Sequence, residues 1–411
     1  MVFDPLSVAS GCAAVAESVA RRTVSGAAVT VRYAPWTTTV VGRGWELSIH
    51  HRMEGAPHPD VELSALLAAR GCDAVLAPTE VMRRRGADLA VFHRVRRPGI
   101  AGDALARSSL TAVLRDRVAP DRHRLDLASA MGDLGRTVAA VHVDLAETMH
   151  ATVASGAVLS TWMRERVAGR FDTVASDSVG SVTGRVQDAD DLGGCCRIHG
   201  NLDLAHVSLG RGGWVLRGFG TGEGTPASRV ERTSPLVDLA TLTTHLRRIR
   251  DTGVADALAE IERSDDATPE VSGDGDTDVA GSDPRMRMRR AERRREIQRL
   301  GDAWERRCVD ALIVGYTSEP DVHTLLPWEP TSRDALLTAF ELVEQMRRVL
   351  GATGAGSQGP DRDTELRLPL DGWIEPWGTF DPGELGIGPE PIAADRAVAA
   401  AGVPMPSPSS P

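Results

Sequence analysis

The apolar residues of this chain change their period near Pro98-Gly99. Before that point β-branched residues cluster in short runs at 27–33, 37–41 and 45–50, separated by Pro35-Trp36 and Gly42-Arg43-Gly44. Such runs bounded by turn residues read as strands. Pro59-Asp60 opens a helix over 61–70 that Gly71 stops, as expected for proline at the first turn and glycine just past the last. Two more strand candidates follow, 75–77 with 81–83 and then 89–95, joined by the polar turn 84–88. A helical stretch at 5–22 precedes them all. From Leu125 to about Leu350 the period is helical, and 127–146 and 158–175 each place apolar residues on one face and charges on the other. The predicted class is therefore α+β with two lobes, a small mixed α/β N-terminal lobe and a larger, mainly helical C-terminal one.

With 411 residues, 42% of them hydrophobic, the chain has material for two or three domains with sizeable cores. The predicted division is an N-terminal cap and N-lobe over 1–97, a helical C-lobe over 98–350 and a low-complexity tail over 351–411. Within the C-lobe, 265–284 is acidic, contains Gly and Ser, and has almost no aliphatic residues. It cannot bury enough surface to offset the entropy of ordering, so a disordered insertion is predicted there, with a helix resuming over 287–314. A net charge of −10 argues against a nucleic-acid partner, the Arg-rich run 285–299 being the local exception. Apolar stretches such as 63–69 are too short to span a bilayer, and the N-terminus lacks the pattern of a secretory leader, so no membrane partner and a cytoplasmic location are expected. Five cysteines, an odd number without disulfide-like spacing, fit a reducing compartment. Cys12, Cys72 and Cys308 read as small buried hydrophobes.

The chemistry-bearing residues concentrate in 197–207, Arg-Ile-His-Gly-Asn-Leu-Asp-Leu-Ala-His-Val, and in Trp214-Val-Leu-Arg-Gly-Phe-Gly. Short strands are predicted at 197–199 and 214–216, with 210–213 as the turn between them. Cys195, Cys196, His199, Asp203 and His206 fall within twelve positions, a set that includes zinc-ligand types. Adjacent cysteines rarely both bind one ion, however, and the spacing matches no standard zinc motif.

Several segments in order resemble the actinobacterial maltokinases, relatives of the aminoglycoside phosphotransferases with a protein-kinase-like fold. His58-Pro-Asp-Val-Glu-Leu63 looks like that family's Asn-Pro-Asp-Val-Glu stretch, and Leu89-Ala-Val-Phe92 like the strand entering its hinge. Leu134-Gly-Arg-Thr-Val-Ala-Ala-Val-His142 is similar to its Leu-Gly-Arg-Arg-x-Ala-x-Leu-His helix. Trp162-Met-Arg-Glu-Arg166, Ser234-Pro-Leu-Val-Asp-Leu-Ala240 and Ala335-Leu-Leu-Thr-Ala-Phe340 also fit. The resemblance covers roughly residues 40 to 350. It implies an ATP-dependent sugar kinase, making maltose 1-phosphate from maltose with ATP and Mg2+ as cofactors.

The same resemblance implies that the site has lost its chemistry. The family's catalytic loop reads His-Gly-Asp-Leu-His-Leu-Gly-Gln and its metal motif Ile-Asp-Phe-Glu-Gly-Glu-Pro. His199 and Gly200 are kept, but Asn201 stands at the catalytic Asp, His206 at the Gln metal ligand and Gly218 at the metal-binding Asp. Ser48 stands at the nucleotide-anchoring Lys, leaving Glu62 as its helix partner. Phosphoryl transfer needs positioned phosphates, magnesium and a carboxylate that orients the attacking hydroxyl. The expectation is a catalytically degenerate member, a pseudokinase with a binding or regulatory role linked to trehalose and glycogen (α-glucan) metabolism, a protein partner, and no cofactor retained. The alternatives are an active kinase using Asp203, Glu223 and Arg52 as replacements, and a nucleotide or sugar sensor without turnover. At the sugar side, 345–350 runs into a glycine-containing 351–359 where the family carries aromatic residues, with Trp373 and Trp377 as possible substitutes.

Overall fold

The computed structural model describes residues 30–34, 37–42, 44–51, 57–84, 87–95, 99–167, 173–220, 232–266, 284–354 and 378–379. The helix expected at 5–22, most of the expected insertion, Arg52, Glu223, Trp373 and Trp377 lie outside the described residues.

The N-lobe is an antiparallel sheet of β1 (Thr30–Ala34), β2 (Thr37–Gly42), β3 (Trp45–His50), β4 (Pro78–Arg84) and β5 (Ala87–Arg94), in the order β1-β2-β3-β5-β4, with the two-residue β11 (Gly378–Thr379) on the edge of β4. Gly44, at φ +85°, supplies the left-handed residue of the β2–β3 hairpin, where glycine carries no Cβ penalty. Strand alternation splits β3 in two. Leu47 and Ile49 join Trp45, which stacks on Phe92, in a small core with Val40 and Met82. Glu46, Ser48 and His50 face the other way and are also buried. That second face is covered by α1 (Pro59–Ala69), whose Val61 packs on Val81 and Val91. His58 caps α1, its Nδ1 accepting the Asp60 N–H at 3.1 Å. Leu63 and Leu67 on α1 enter the core of the larger lobe.

That lobe is built from α2 (Gly102–Asp116), α3 (Ala128–Met149), α4 (Gly156–Val167), α5 (Thr173–Gln187), α6 (Leu236–Asp266), α7 (Pro284–Thr317) and α8 (Pro330–Gly354). Helices α3 and α7 touch backbone to backbone. A Cβ on Gly135 would collide with the Leu312 carbonyl, and one on Gly315 with the Gly132 carbonyl. The core of this lobe includes Met131, Leu134, Trp304 and Phe340. A three-stranded sheet, β10 (Gly213–Leu216), β9 (Val207–Gly210) and β6 (Ile100–Ala101), carries the cleft loops, and β7 (Thr152–Val153) pairs with β8 (Gly194–Cys195). The fold class is α+β, with a small sheet lobe and a larger helical one.

Four expectations need correction. Residues 197–199 are not a strand: pairing stops at Cys195 and an isolated Cys196–Thr233 bridge, because the next backbone N–H groups turn to a side chain of α6. Val75 makes only a single bridge to Leu216, and β4 starts at Pro78. The one helix expected over 158–175 is two, α4 ending at Val167 and α5 starting at Thr173. Helix α2 was not expected at all; its N-cap, Ala101, offers no capping side chain to announce it. Among the described residues, no helix is long and apolar enough to cross a membrane.

Candidate functional site

The 199–201 loop is held by one carboxylate. Asp238, buried in the first turn of α6, accepts the His199 N–H at 2.8 Å and the Gly200 N–H at 3.0 Å. It also accepts from His142 Nε2 at 3.0 Å, while His142 Nδ1 lies 2.9 Å from the Tyr316 hydroxyl. Burial alone would raise the Asp238 pKa, but the His142 hydrogen bond, the neighbouring histidines and the Gly200 N–H together hold it below its ordinary value. The Tyr316 hydroxyl, fully buried, is pushed well up and stays protonated, so it donates to the His142 ring. A chain Tyr316–His142–Asp238–loop thus ties α7, α3 and α6 to one backbone turn.

His199 is itself neutral. Its Nε2–H donates to the Arg217 carbonyl at 2.9 Å and its ring lies 4.5 Å from that of Phe219. Burial pulls its pKa down to about 4 against the raising effect of Asp238. The ring therefore fixes the 217–219 segment against the 199–201 loop and carries no proton to deliver. Asn201 lies half-buried just beyond, where its amide can orient a hydroxyl but accepts no proton at neutral pH.

The residues expected as metal ligands bond to one another. His206 Nδ1 donates to Asp203 Oδ1 at 2.8 Å, the same oxygen accepts the Ala205 N–H at 2.8 Å, and His245 lies 3.6 Å from the other oxygen. Burial opposes charge on both, yet the pair wins. His206 is raised by Asp203, and Asp203 is held far below the usual carboxylate range by His206, His245 and the Ala205 N–H. Gly218, at φ +75°, offers only backbone. An imidazolium, an amide and a glycine do not fit magnesium, a hard cation that takes oxygen ligands. Nor does the cysteine-containing cluster assemble a softer site: burial pushes the Cys195 thiol up to about 11 and Cys196 higher, and among the described residues no group of three His, Cys, Asp or Glu side chains converges as a metal site.

Across the cleft the sheet lobe contributes acids that the sequence did not single out. On β3, two residues before Ser48 and on the same face, Glu46 is 1% exposed and ion-paired to the Arg217 guanidinium, which also donates to Ser208 Oγ. From α1 it is Asp60, and not Glu62, that reaches the Gly218 turn. Its Oδ1 accepts the N–H groups of Gly218 and Phe219, each at 3.0 Å, while Oδ2 has no hydrogen-bond partner and burial pushes the carboxyl pKa up. Glu62 instead pairs with Arg197 at 3.1 Å. Ser48 lies buried between Glu46 and His50, and His50 stacks on His58 at 3.5 Å between ring centroids. In the sequence Asp60 stood only within the helix-opening motif at 58–63 and Arg217 only within the 214–220 segment, neither with an assigned role, and nothing marked Glu46, 171 residues from Arg217.

A separate cavity of about 780 Å³ lies in the helical lobe between α5 and α8, lined by Val182, Leu192, Arg247, Leu336, Glu341 and Gln345 among others. Arg247 there bonds Glu305 at 3.0 Å and Glu341 at 3.4 Å.

This two-lobed fold is the kinase-like fold of solved glucosamine kinases. It is similar to a glucosamine kinase solved with glucosamine, ADP and inorganic phosphate, at 18% identity and TM-score 0.53 over 80% of this chain and 76% of that one. A second crystal form of glucosamine kinase matches at 17% identity and TM-score 0.52, covering 83% of this chain and 81% of that one. An aminoglycoside phosphotransferase bound to AMP-PNP and hygromycin B aligns at 14% identity and TM-score 0.37, over 84% of this chain and all of the other. No family model matches the chain.

Proposed function

We propose that this chain is a maltokinase-like pseudokinase, a phosphotransferase fold kept for binding or regulation in α-glucan (trehalose and glycogen) metabolism. The observation that carries the reading is the Glu46–Arg217 ion pair, with Asp60 bound to the Gly218-Phe219 backbone beside it. Glu46 is engaged by a protein cation, and Asp60 binds backbone N–H groups through Oδ1 while its buried Oδ2 stands alone, which leaves no pair of carboxylates free to hold a metal triphosphate. Loss of the general base at Asn201 alone costs ~100- to 10,000-fold. The active-kinase alternative rests on Asp203, which is committed to His206, and on Glu223 and Arg52 outside the described residues.

A coupled assay for ADP from ATP, maltose and magnesium tests this. Wild type and Asn201→Ala are expected to give the same blank-level signal, and magnesium-dependent turnover that Asn201→Ala abolishes would contradict the proposal. The sugar-sensor reading keeps one observation in its favour. The cavity between α5 and α8 has the volume of a small-molecule site, with an apolar floor and a few fixed polar groups.

A further inference from the structure

We infer that the exposed face of α7 (Pro284–Thr317), from Arg295 to Val314, is a docking surface for an acidic protein segment that carries an apolar side chain. Several arginines around this helix have carboxylate partners: Arg294 binds Glu262, Arg307 binds Asp126, and Arg250 of α6 binds Glu305. Arg295, Arg299 and Arg306 are exposed and make no hydrogen bond or ion pair among the described residues. At 3.6 residues per turn these three fall within about 40° of one another around the helix, and at 1.5 Å rise they are spaced by roughly 6 Å and 10 Å. They form one stripe of unneutralised guanidinium groups on a chain whose net charge is −10.

The stripe ends in a shallow hollow. About 430 Å³ in volume, it is lined by Ala128, Ala303, Ala311 and Val314, with Arg306 and Asp310 at its edge, and Val314 is 65% exposed. Cations leading into an apolar recess match a partner that presents carboxylates followed by one aliphatic residue, since complementary charge gives orientation and the recess gives an anchor. Nucleic acid fits less well, because exposed Asp302 lies within the stripe, Glu292 and Asp310 flank it, and the whole chain repels a polyanion. A membrane surface fits less well too, because the apolar residues form a hollow and not the continuous stripe that inserts into lipid. The chain's own acidic segment 267–283 is tied at both ends, to Asp266 and Pro284. A return trip to the hollow at Val314 needs about 90 Å along the helix, whereas the eighteen steps from Asp266 to Pro284 span at most ~65 Å fully extended. That segment does not fill the hollow, and the occupant we assign to it is a partner chain.

The face lies outside the cleft, so the proposal stands whether or not ATP is turned over. It is tested by fluorescence anisotropy on the full chain with a short Glu/Asp peptide bearing one central Leu. Controls are the same peptide with Ser for Leu, oligo-dT, and vesicles containing phosphatidylserine. The Leu peptide is expected to bind best, more weakly as salt rises, and to lose about tenfold or more in affinity in the triple variant R295E, R299E and R306E and separately in Val314→Asp. All four positions are exposed or line an open recess, so the thermal midpoint of each variant should stay near wild type. Equal binding by the triple variant, no binding of the Leu peptide, or tighter binding of oligo-dT or vesicles would overturn the proposal.

Discussion

Replacing Arg217 with alanine is expected to lower the thermal midpoint by roughly 10 °C, the largest effect of any single change in the cleft. Glu46, 1% exposed on β3, would be left as a buried carboxylate without its cation. Breaking such a pair from one side costs about 3–5 kcal/mol, and each kcal/mol moves the midpoint by about 2–4 °C for a large domain. The double variant Glu46→Gln with Arg217→Ala removes the stranded charge and should recover most of the loss. Calorimetric scans of both variants decide the matter. A single variant that melts within a degree or two of wild type, or a double variant no better than the single, would show that the pair does not tie the lobes.

Asp238→Ala is expected to be comparably damaging, for a different reason. It strands three donors at once in a buried place: the N–H groups of His199 and Gly200, and His142 Nε2. Each buried donor left without a partner costs about 1–3 kcal/mol, so a loss of about 4 kcal/mol is anticipated after partial relaxation. Asp238→Asn keeps one acceptor oxygen and should fall between the two. Urea unfolding followed by tryptophan fluorescence reads the difference, with Trp304 and Trp214 buried in the same lobe. A loss under about 1 kcal/mol would mean that the loop is held by other contacts.

Elements with strong local signals were legible in the sequence. Trp45–His50 is the strand that its alternation predicts, the helix opened by Pro59 forms, and the long amphipathic stretch at 127–146 is α3 with its ends shifted by a few residues. What failed was decided by tertiary partners. The 197–199 segment has strand-like residues, but Asp238 takes its N–H groups. The cleft shows the same limit. Asn201, His206 and Gly218 could be set against a familiar motif one by one, whereas the pairing of Glu46 with Arg217 joins residues that no local pattern relates. Asp60 and Glu62 share one motif, in which the family resemblance implies a role for Glu62 alone. The start of α1, capped by His58, instead aims Asp60 at the Gly218 turn and Glu62 at Arg197.

The central claim is that protein groups fill the place where a metal triphosphate would sit. Isothermal titration of the full chain with ATP, run with and without magnesium, measures it most directly. No saturable heat is predicted in either case, since Arg217 holds Glu46, His206 holds Asp203, and Asp60 is bound through one oxygen to backbone N–H groups. Stoichiometric ATP binding that tightens when magnesium is added would contradict the account.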